Sequence, residues 1–301
     1  MHKVDPSARV AFQGEPGAFS EIAARKLLGE RIHTIACASF ESLFSSIDEG
    51  RADLILAPLE NTLAGPVLRC YDLLYQSASS HPSTPTTGAL GTPSKSPLTM
   101  TGEVVLRISH CVIGCPGATL EGLRRIQSHP VALAQCERFF AAHPGIAKAV
   151  AEDTAGSVRQ IMERFDPTVG AIAGESAAQQ YAAQILASGV EDDPNNFTRF
   201  ALLQPQSTVK PGLNSDADAT TLVLTVANQP GALFRSLEPF AASGVDLMSL
   251  VSRPLVGTPW HYRFFFEVAA AASDPRMTRV LDELRSRTVE LRVLGSYRSG
   301  K

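Results

Sequence analysis

A threonine and an arginine stand side by side in Thr198-Arg199-Phe200, where the acidic loop Glu191-Asp192-Asp193-Pro194-Asn195-Asn196 gives way to the apolar run Phe200-Ala201-Leu202-Leu203. An arginine can hold a carboxylate through two parallel hydrogen bonds, and a hydroxyl beside it can give or share a proton. Four other loop-to-helix junctions carry small or polar residues where packing alone would favour apolar ones. They are Gly14-Glu15-Pro16-Gly17-Ala18-Phe19-Ser20-Glu21, Pro58-Leu59-Glu60-Asn61-Thr62-Leu63-Ala64-Gly65, Gln127-Ser128-His129-Pro130 and Asp153-Thr154-Ala155-Gly156. Each alone reads as a helix cap, since Ser, Thr, Asp and Asn are the preferred cap residues and Pro suits a first helical turn. Together with Thr198-Arg199 they read as a cleft for a small, multiply anionic molecule. No Ser-His-Asp order, dinucleotide fingerprint or P-loop accompanies them. His110 and His129 invite a general-acid role. His110, however, ends an apolar strand and reads as a hydrogen-bonded, half-buried residue, and His129 as one that positions the Ser128 loop.

The elements that must position these residues alternate between short apolar strands and amphipathic helices. Strands are expected at Arg9 to Phe12, Ile32 to Ala36 and Leu54 to Pro58, with helices at Ala18 to Leu28 and Phe40 to Ile47. The series resumes with a strand at Glu103 to Ile108, helices at Leu120 to Arg125 and Val131 to Ala142, and a strand at Ala147 to Ala151. It closes with a helix at Thr154 to Arg164, a strand at Val169 to Ala173 and a helix at Ser176 to Leu186. Alternation of this kind argues for parallel sheets covered by helices. Loops that follow parallel strands gather on one edge, where helix N-termini offer unpaired N–H groups to anions. Between the two series, Ser77 to Ser96 is rich in Ser, Thr, Pro and Gly and is expected to be a mobile surface insertion.

A linker at Gln204 to Ala217 carries two prolines and a Gly-Leu-Asn-Ser turn. Beyond it, strands at Thr220 to Ala227, Val245 to Ser252, His261 to Val268 and Val289 to Tyr297 and helices at Ala232 to Ala242 and Pro275 to Arg287 give the order βαββαβ. In about 80 residues that order is a ferredoxin-like unit.

The chain's 301 residues suffice for two or three domains. Its 44% hydrophobic and 19% charged content place it among globular proteins. The net charge of −3, without a Lys/Arg stripe, excludes a nucleic-acid footprint. No apolar run is long enough to span a bilayer, and Met1-His2-Lys3-Val4-Asp5-Pro6 lacks the apolar stretch of a signal peptide. Cys37, Cys70, Cys111, Cys115 and Cys136 are odd in number and irregular in spacing. They read as reduced thiols of a cytoplasmic protein, and Cys111 and Cys115 lack the second pair a metal site would need. Neither a metal nor a cofactor is expected, and neither a nucleic acid nor a membrane is an expected partner.

These segments resemble the prephenate dehydratase family and its arogenate dehydratase relatives. Gly14 to Ser20 resembles the family's opening glycine loop, and Pro58 to Gly65 its Pro-Ile-Glu-Asn-Ser motif, with Thr62 for the usual Ser. Ser128-His129-Pro130-Val131-Ala132-Leu133-Ala134-Gln135-Cys136 is close to its Ser-His-Pro-Gln-Ala-Leu-Ala-Gln-Cys, and Thr198-Arg199-Phe200 matches its signature triplet. The βαββαβ tail resembles an ACT regulatory domain, including Gly231-Ala232-Leu233 and Ser252-Arg253-Pro254. The resemblance runs from about Arg9 to Tyr297 and leaves out only the Ser/Pro/Thr segment.

The resemblance implies an α/β fold: a two-lobed catalytic region similar to periplasmic binding proteins over 1–205, a linker over 206–218 and an ACT domain over 219–301. The implied reaction is decarboxylative dehydration of prephenate to phenylpyruvate in phenylalanine biosynthesis. Aromatisation drives it, so no cofactor is called for. Thr198 would donate a proton or a hydrogen bond to the departing hydroxyl. Arg199 and helix-start N–H groups near Ser20 and Thr154 would hold carboxylates. Asn61 and Thr62 would orient ring substituents, and Glu60 would orient them or supply the proton. Ser128 and Gln135 are further substrate contacts, unless Gln135 caps its own helix. Phe200 packs its strand against the core or walls the site.

L-Phe is the implied effector, near Gly231, Ala232, Leu233, Asp246 and Leu247, in a homodimer or homotetramer. Trp260 and Phe264-Phe265-Phe266 would face a second copy or fill the domain's core. In Asp246-Leu247-Met248-Ser249-Leu250-Val251-Ser252-Arg253-Pro254, Asp246 stands where the family has Asn and Val251 where it has Glu. Asp246 would attract an effector's ammonium and repel its carboxylate, and Val251 cannot hydrogen-bond. Two alternatives stay open. One is arogenate dehydratase, whose substrate carries an amine in place of the keto group. The other is a non-catalytic amino-acid or anion sensor, which the intact Thr198-Arg199-Phe200 disfavours.

Overall fold

The computed structural model describes residue 5, residues 7–78 and residues 96–300. The Ser/Pro/Thr segment expected as a mobile insertion falls almost wholly on 79–95, outside the described residues; its first residue, Ser77, ends a helix, Leu68–Ser77. The chain is mixed α/β with two sheets, as the alternation implied. By packing it divides into one unit of Met1–Leu43, Leu56–Gly65 and Val105–Phe200 and a second of Phe44–Ile55, Pro66–Val104 and Ala201–Lys301.

In the first unit, strands Arg9–Gln13 and His33–Cys37 pair in parallel, Arg9 opposite His33. The helix Phe19–Leu28 follows the first of them and buries Ala23, Ala24 and Leu28. A separate five-stranded sheet runs in the order Gln184–Ser188, Cys111–Gly114, Val169–Ala173, Arg125–Ser128, Ala147–Val150. Its period-2 alternation sorts side chains onto two covered faces. Val112, Ile126 and Ile172 pack with Leu133 and Phe140 on one face, while Ile113, Ala171 and Ala173 pack with Ala155, Val158 and Ala177 on the other. Both faces are covered, so all five residues of Val169–Ala173 are buried.

Three helix expectations fail in this sheet region. Leu120 to Arg125 is not helical: Thr119 Oγ1 accepts the Gly122 N–H at 3.2 Å in a turn, and a strand, Arg125–Ser128, follows. Leu123 and Ile126 there serve a sheet face instead of a helical stripe. Val131 to Ala142 is two helices, Pro130–Ala134 and Glu137–Ala142. The break has a cause: the Asp192 carboxylate accepts the N–H groups of Glu137 and Arg138, each at 2.8 Å, capping the second helix from outside. Ser176 to Leu186 is a short helix, Glu175–Gln180, and then the edge strand Gln184–Ser188. Ala182, at φ +53°, turns the chain between them. Strand Cys111–Gly114 and helix Leu68–Ser77 were not foreseen.

In the second unit the C-terminal segment has the expected βαββαβ order, and both of its helices, Ala232–Ala242 and Pro275–Arg287, carry the expected bounds. Its antiparallel strands lie in the order Leu247–Pro254, Tyr262–Val268, Ala219–Thr225, Glu290–Tyr297. Leu222, Leu224, Phe266 and Val268 pack on the two helices with Phe240, Met277 and Leu284. Helix Leu68–Ser77 meets the same sheet through Tyr71, whose ring lies 5.1 Å from that of Phe265, and through Asp72, which accepts two hydrogen bonds from Arg253 at 2.6 and 2.8 Å. All five cysteines are buried, and none of them is in a disulfide.

Candidate active site

Asn61 is the last residue of strand Leu54–Asn61, and Thr198 the second of strand Phe197–Pro205. Asn61 Nδ2 donates to Thr198 Oγ1 at 2.9 Å, Asn196 Oδ1 at 2.7 Å and the Phe197 carbonyl at 3.1 Å. Asn61 Oδ1 accepts the backbone N–H groups of Leu63 and Ala64 at 3.0 and 2.9 Å. Backbone amides can only donate, so they fix which end of the Asn61 amide is oxygen. Thr198 Oγ1 is therefore an acceptor towards Asn61. Among the described residues nothing accepts its own proton, which leaves that proton for a ligand. Thr62 Oγ1 donates to the Asn195 carbonyl at 2.8 Å and accepts the Phe197 N–H at 3.0 Å, so its hydroxyl latches the two strands together.

The next residue on the strand, Arg199, is buried, and its Nη2 lies 3.2 Å from Glu60 Oε2, whose side chain is 36% exposed. The pair sets a fixed positive group beside a half-open carboxylate. Phe200 is 2% exposed and packs in the core.

Gln135, at the end of helix Pro130–Ala134, joins the cluster instead of only capping. Its Nε2 donates to Asn61 Oδ1 at 3.3 Å, and its Oε1 accepts from Asn196 Nδ2 at 3.0 Å. His110 Nε2 is also 3.0 Å from Gln135 Oε1. His110 is 2% exposed, and burial holds its pKa below the usual histidine value, against the opposing pull of Gln135 and Glu191. A buried neutral ring makes a poor general acid at neutral pH.

The glycine loop belongs to the same unit. Gly17 has φ +86°, and a Cβ there would lie 2.8 Å from Ala177 Cα, so only glycine fits. Ser176 Oγ donates to the Gly17 carbonyl at 2.6 Å. Glu21 accepts the Gly17 N–H and the Thr34 hydroxyl, both at 2.8 Å, and pairs with Arg25. Burial raises the Glu21 pKa, but bonds from Gly17, Arg25 and Thr34 outweigh it, and the net shift is downward. Phe19 meets the His110 ring edge-on at 5.7 Å, which brings the loop to the polar cluster.

The remaining substrate candidates lie in the same unit but outside this hydrogen-bonded set. Ser20 is buried in the first turn of its helix. Thr154 opens helix Thr154–Arg164 behind the Asp153 cap, whose Oδ1 accepts the Gly156 N–H at 2.6 Å. Ser128 is buried and donates to the Ile172 carbonyl at 2.6 Å, which occupies its proton. His129 Nδ1 accepts the Val131 N–H at 3.2 Å, in keeping with the positioning role read from sequence.

Of the effector candidates, Gly231, Ala232 and Leu233 line a cavity of about 200 Å³ with Phe234, Trp260 and Tyr262. Asp246 and Leu247 do not line it; the Asp246 carbonyl accepts the Ala269 N–H at 3.0 Å, and Leu247 pairs with Val268. Trp260 is 80% exposed, so it does not fill the domain core, whereas Phe265 and Phe266 do. Asn196 was the residue missed. It is fully buried, and it stands two before Thr198, so an extended backbone turns both side chains to one face. That spacing was the available signal.

Residues 10–208 match the prephenate dehydratase family. The bifunctional chorismate mutase/prephenate dehydratase of Neisseria gonorrhoeae is 32% identical over 98% of this chain and 75% of its own length. Arogenate dehydratase/prephenate dehydratase 2 of Arabidopsis thaliana is 34% identical over 96% of this chain and 72% of its own. Among solved structures, prephenate dehydratase from Arthrobacter aurescens in complex with L-Phe superimposes with TM-score 0.81 at 28% identity, covering 97% of this chain and 90% of that one. GqqA, described as a novel type of quorum quenching acylase, does so with TM-score 0.81 at 33% identity, covering 97% and 98%.

Proposed function

We infer, from the premise that the chain belongs to the prephenate dehydratase family, that it converts prephenate to phenylpyruvate, CO2 and water as a lyase of phenylalanine biosynthesis. The observation that carries this reading is the Thr198 hydroxyl, held as an acceptor by Asn61 with its proton left over, beside the Arg199–Glu60 pair. In the reaction the bond from the ring to its carboxylate breaks and the electron pair enters the ring. The C4–O bond then breaks, and the oxygen leaves as water. Thr198 hydrogen-bonds that oxygen as charge develops on it, and Arg199 holds a carboxylate. Amide N–H groups are poor acids, so the proton that completes the water comes from Glu60 or solvent, not from Asn61. Ser20, Thr62, Ser128, Gln135 and Thr154 shape the rest of the pocket.

Residues 1–205 are read as the catalytic region and 219–301 as an ACT domain that takes L-Phe at Gly231–Leu233 in a cytoplasmic homodimer. The L-Phe complex of the Arthrobacter aurescens enzyme and the cavity at Gly231 support that reading. The family also includes arogenate dehydratases, so the deciding experiment is kcat/KM on prephenate and on arogenate. Preference for prephenate supports the name, and preference for arogenate replaces it. The acylase description of GqqA gains no support from the site. The rings of His110, His129, His143 and His261 meet Gln135, the Val131 N–H and the Phe139 and Pro259 carbonyls, not a hydroxyl or thiol they could activate as a nucleophile.

A further inference from the structure

The polar cluster has a direction, and it can be traced from the backbone outward. Leu63 and Ala64 donate to Asn61 Oδ1, so Asn61 presents its NH2 to Thr198 and Asn196. Gln135 also reaches Asn61 Oδ1, so the Gln135 atom there must be its NH2 group, and its oxygen must face Asn196 Nδ2 and His110 Nε2. An oxygen can only accept, so His110 Nε2 must carry a proton. Burial keeps the ring neutral, which leaves Nδ1 bare, and Nδ1 is buried without a hydrogen-bond partner. The groups that face this ring are Gln135, the Phe19 ring and Glu191, whose Oε2 accepts the His110 backbone N–H at 2.8 Å.

We propose that His110, as the neutral tautomer protonated at Nε2, is a positioning residue that holds the Gln135 amide so that its NH2 faces Asn61, and through Asn61 keeps Thr198 oriented as a donor to substrate. His110 itself touches no reacting atom. Without its N–H, Gln135 Oε1 keeps a single donor, Asn196, and the amide can rotate. A rotated Gln135 would turn its oxygen on Asn61 Oδ1, acceptor against acceptor. The buried Nδ1 without a partner is tolerated because the opposite tautomer would set a bare Nε2 against Gln135 Oε1 and leave the Nδ1–H a buried donor with no acceptor.

This inference rests on the dehydratase reading, and its test separates the two. Nitrogen-15 NMR of the full-length wild-type protein reads the tautomer without any substrate, and His110→Gln identifies the signal. A protonated Nε2 and bare Nδ1 at pH 8 is the expected result. A ring protonated at Nδ1 with a bare Nε2 overturns the proposal whatever the protein catalyses. In turnover, His110→Phe keeps a flat ring but no donor, and a fall in kcat of about 10- to 100-fold with KM nearly unchanged is expected, the size of a small misplacement at a reacting centre. His110→Gln places an amide N–H near the lost Nε2 and should recover most of it. Wild-type turnover with a His110→Phe kcat equal to wild type refutes the positioning role and spares the dehydratase reading. Absent wild-type turnover on prephenate and arogenate removes that reading and leaves the NMR result to stand or fall alone.

Discussion

Replacing Asn61 with aspartate changes one atom and reverses the logic of the site. The oxygen that accepts from Leu63 and Ala64 stays. The NH2 group that serves Thr198 Oγ1, Asn196 Oδ1 and the Phe197 carbonyl, at 2.9, 2.7 and 3.1 Å, becomes a carboxylate oxygen facing three acceptors. Thr198 can relieve its share only by turning its proton towards position 61, away from the substrate. Two donated protons are lost, at about 1 kcal/mol each, so the fold should weaken by about 2 kcal/mol. That corresponds to a drop in Tm of about 5 °C for a protein of this size. The rate should suffer more, because a preorganised donor at the departing oxygen is worth about 10²–10³ in kcat. An aspartate facing acceptors favours its neutral form. Acidification would therefore restore an O–H donor, and Asn61→Asp should recover activity as the pH falls while wild type does not. Paired measurements of kcat against pH and of thermal melting would decide. A variant within threefold of wild type at neutral pH, or one whose activity does not rise relative to wild type on acidification, refutes the reasoning.

Other consequences are as direct. Thr198→Ala should lower kcat on prephenate by about 10²–10³ with little change in Tm, and Thr198→Ser should restore much of it; steady-state kinetics on both variants checks this. Arg199→Leu should raise KM at least about tenfold through loss of a carboxylate anchor, and should also lower Tm because Glu60 is left without this partner. The Glu21 pKa is depressed in the fold, so its stabilisation is present above the unfolded carboxylate value and lost as the pH falls through the folded one. Melting between about pH 5 and 3 should thus show Glu21→Gln to be less acid-sensitive than wild type, from a lower starting Tm. Gly231→Val puts a β-branched residue at φ +78° on the wall of the C-terminal cavity. It should abolish L-Phe binding by calorimetry and leave the uninhibited kcat within about twofold of wild type, since no lost catalytic contact contributes.

Legibility in the sequence followed where the physics is local. Helices Ala232–Ala242 and Pro275–Arg287 have strong starts, a glycine before one and Asp274-Pro275 at the other, and their bounds were read as found. The helix expected at Leu120 to Arg125 failed because Leu120 and Leu123 share a helical spacing by chance and are claimed by a sheet face. The break after Ala134 could not be read locally either, because the carboxylate that caps Glu137–Ala142 belongs to Asp192, more than fifty residues away in sequence. Asn61, Gln135 and Thr198 were named from their loops as candidates for one site, and they do meet. The order of donors and acceptors among them was not legible. It depends on which backbone N–H groups point at Asn61, and that is a property of the folded turn.

Whether the Thr198 site aromatises prephenate is decided by product analysis. Purified protein incubated with prephenate should release phenylpyruvate and CO2 in equal amounts, with Thr198→Ala giving both far more slowly. Tight binding of prephenate without either product, or products formed equally fast by the Thr198→Ala variant, would contradict it.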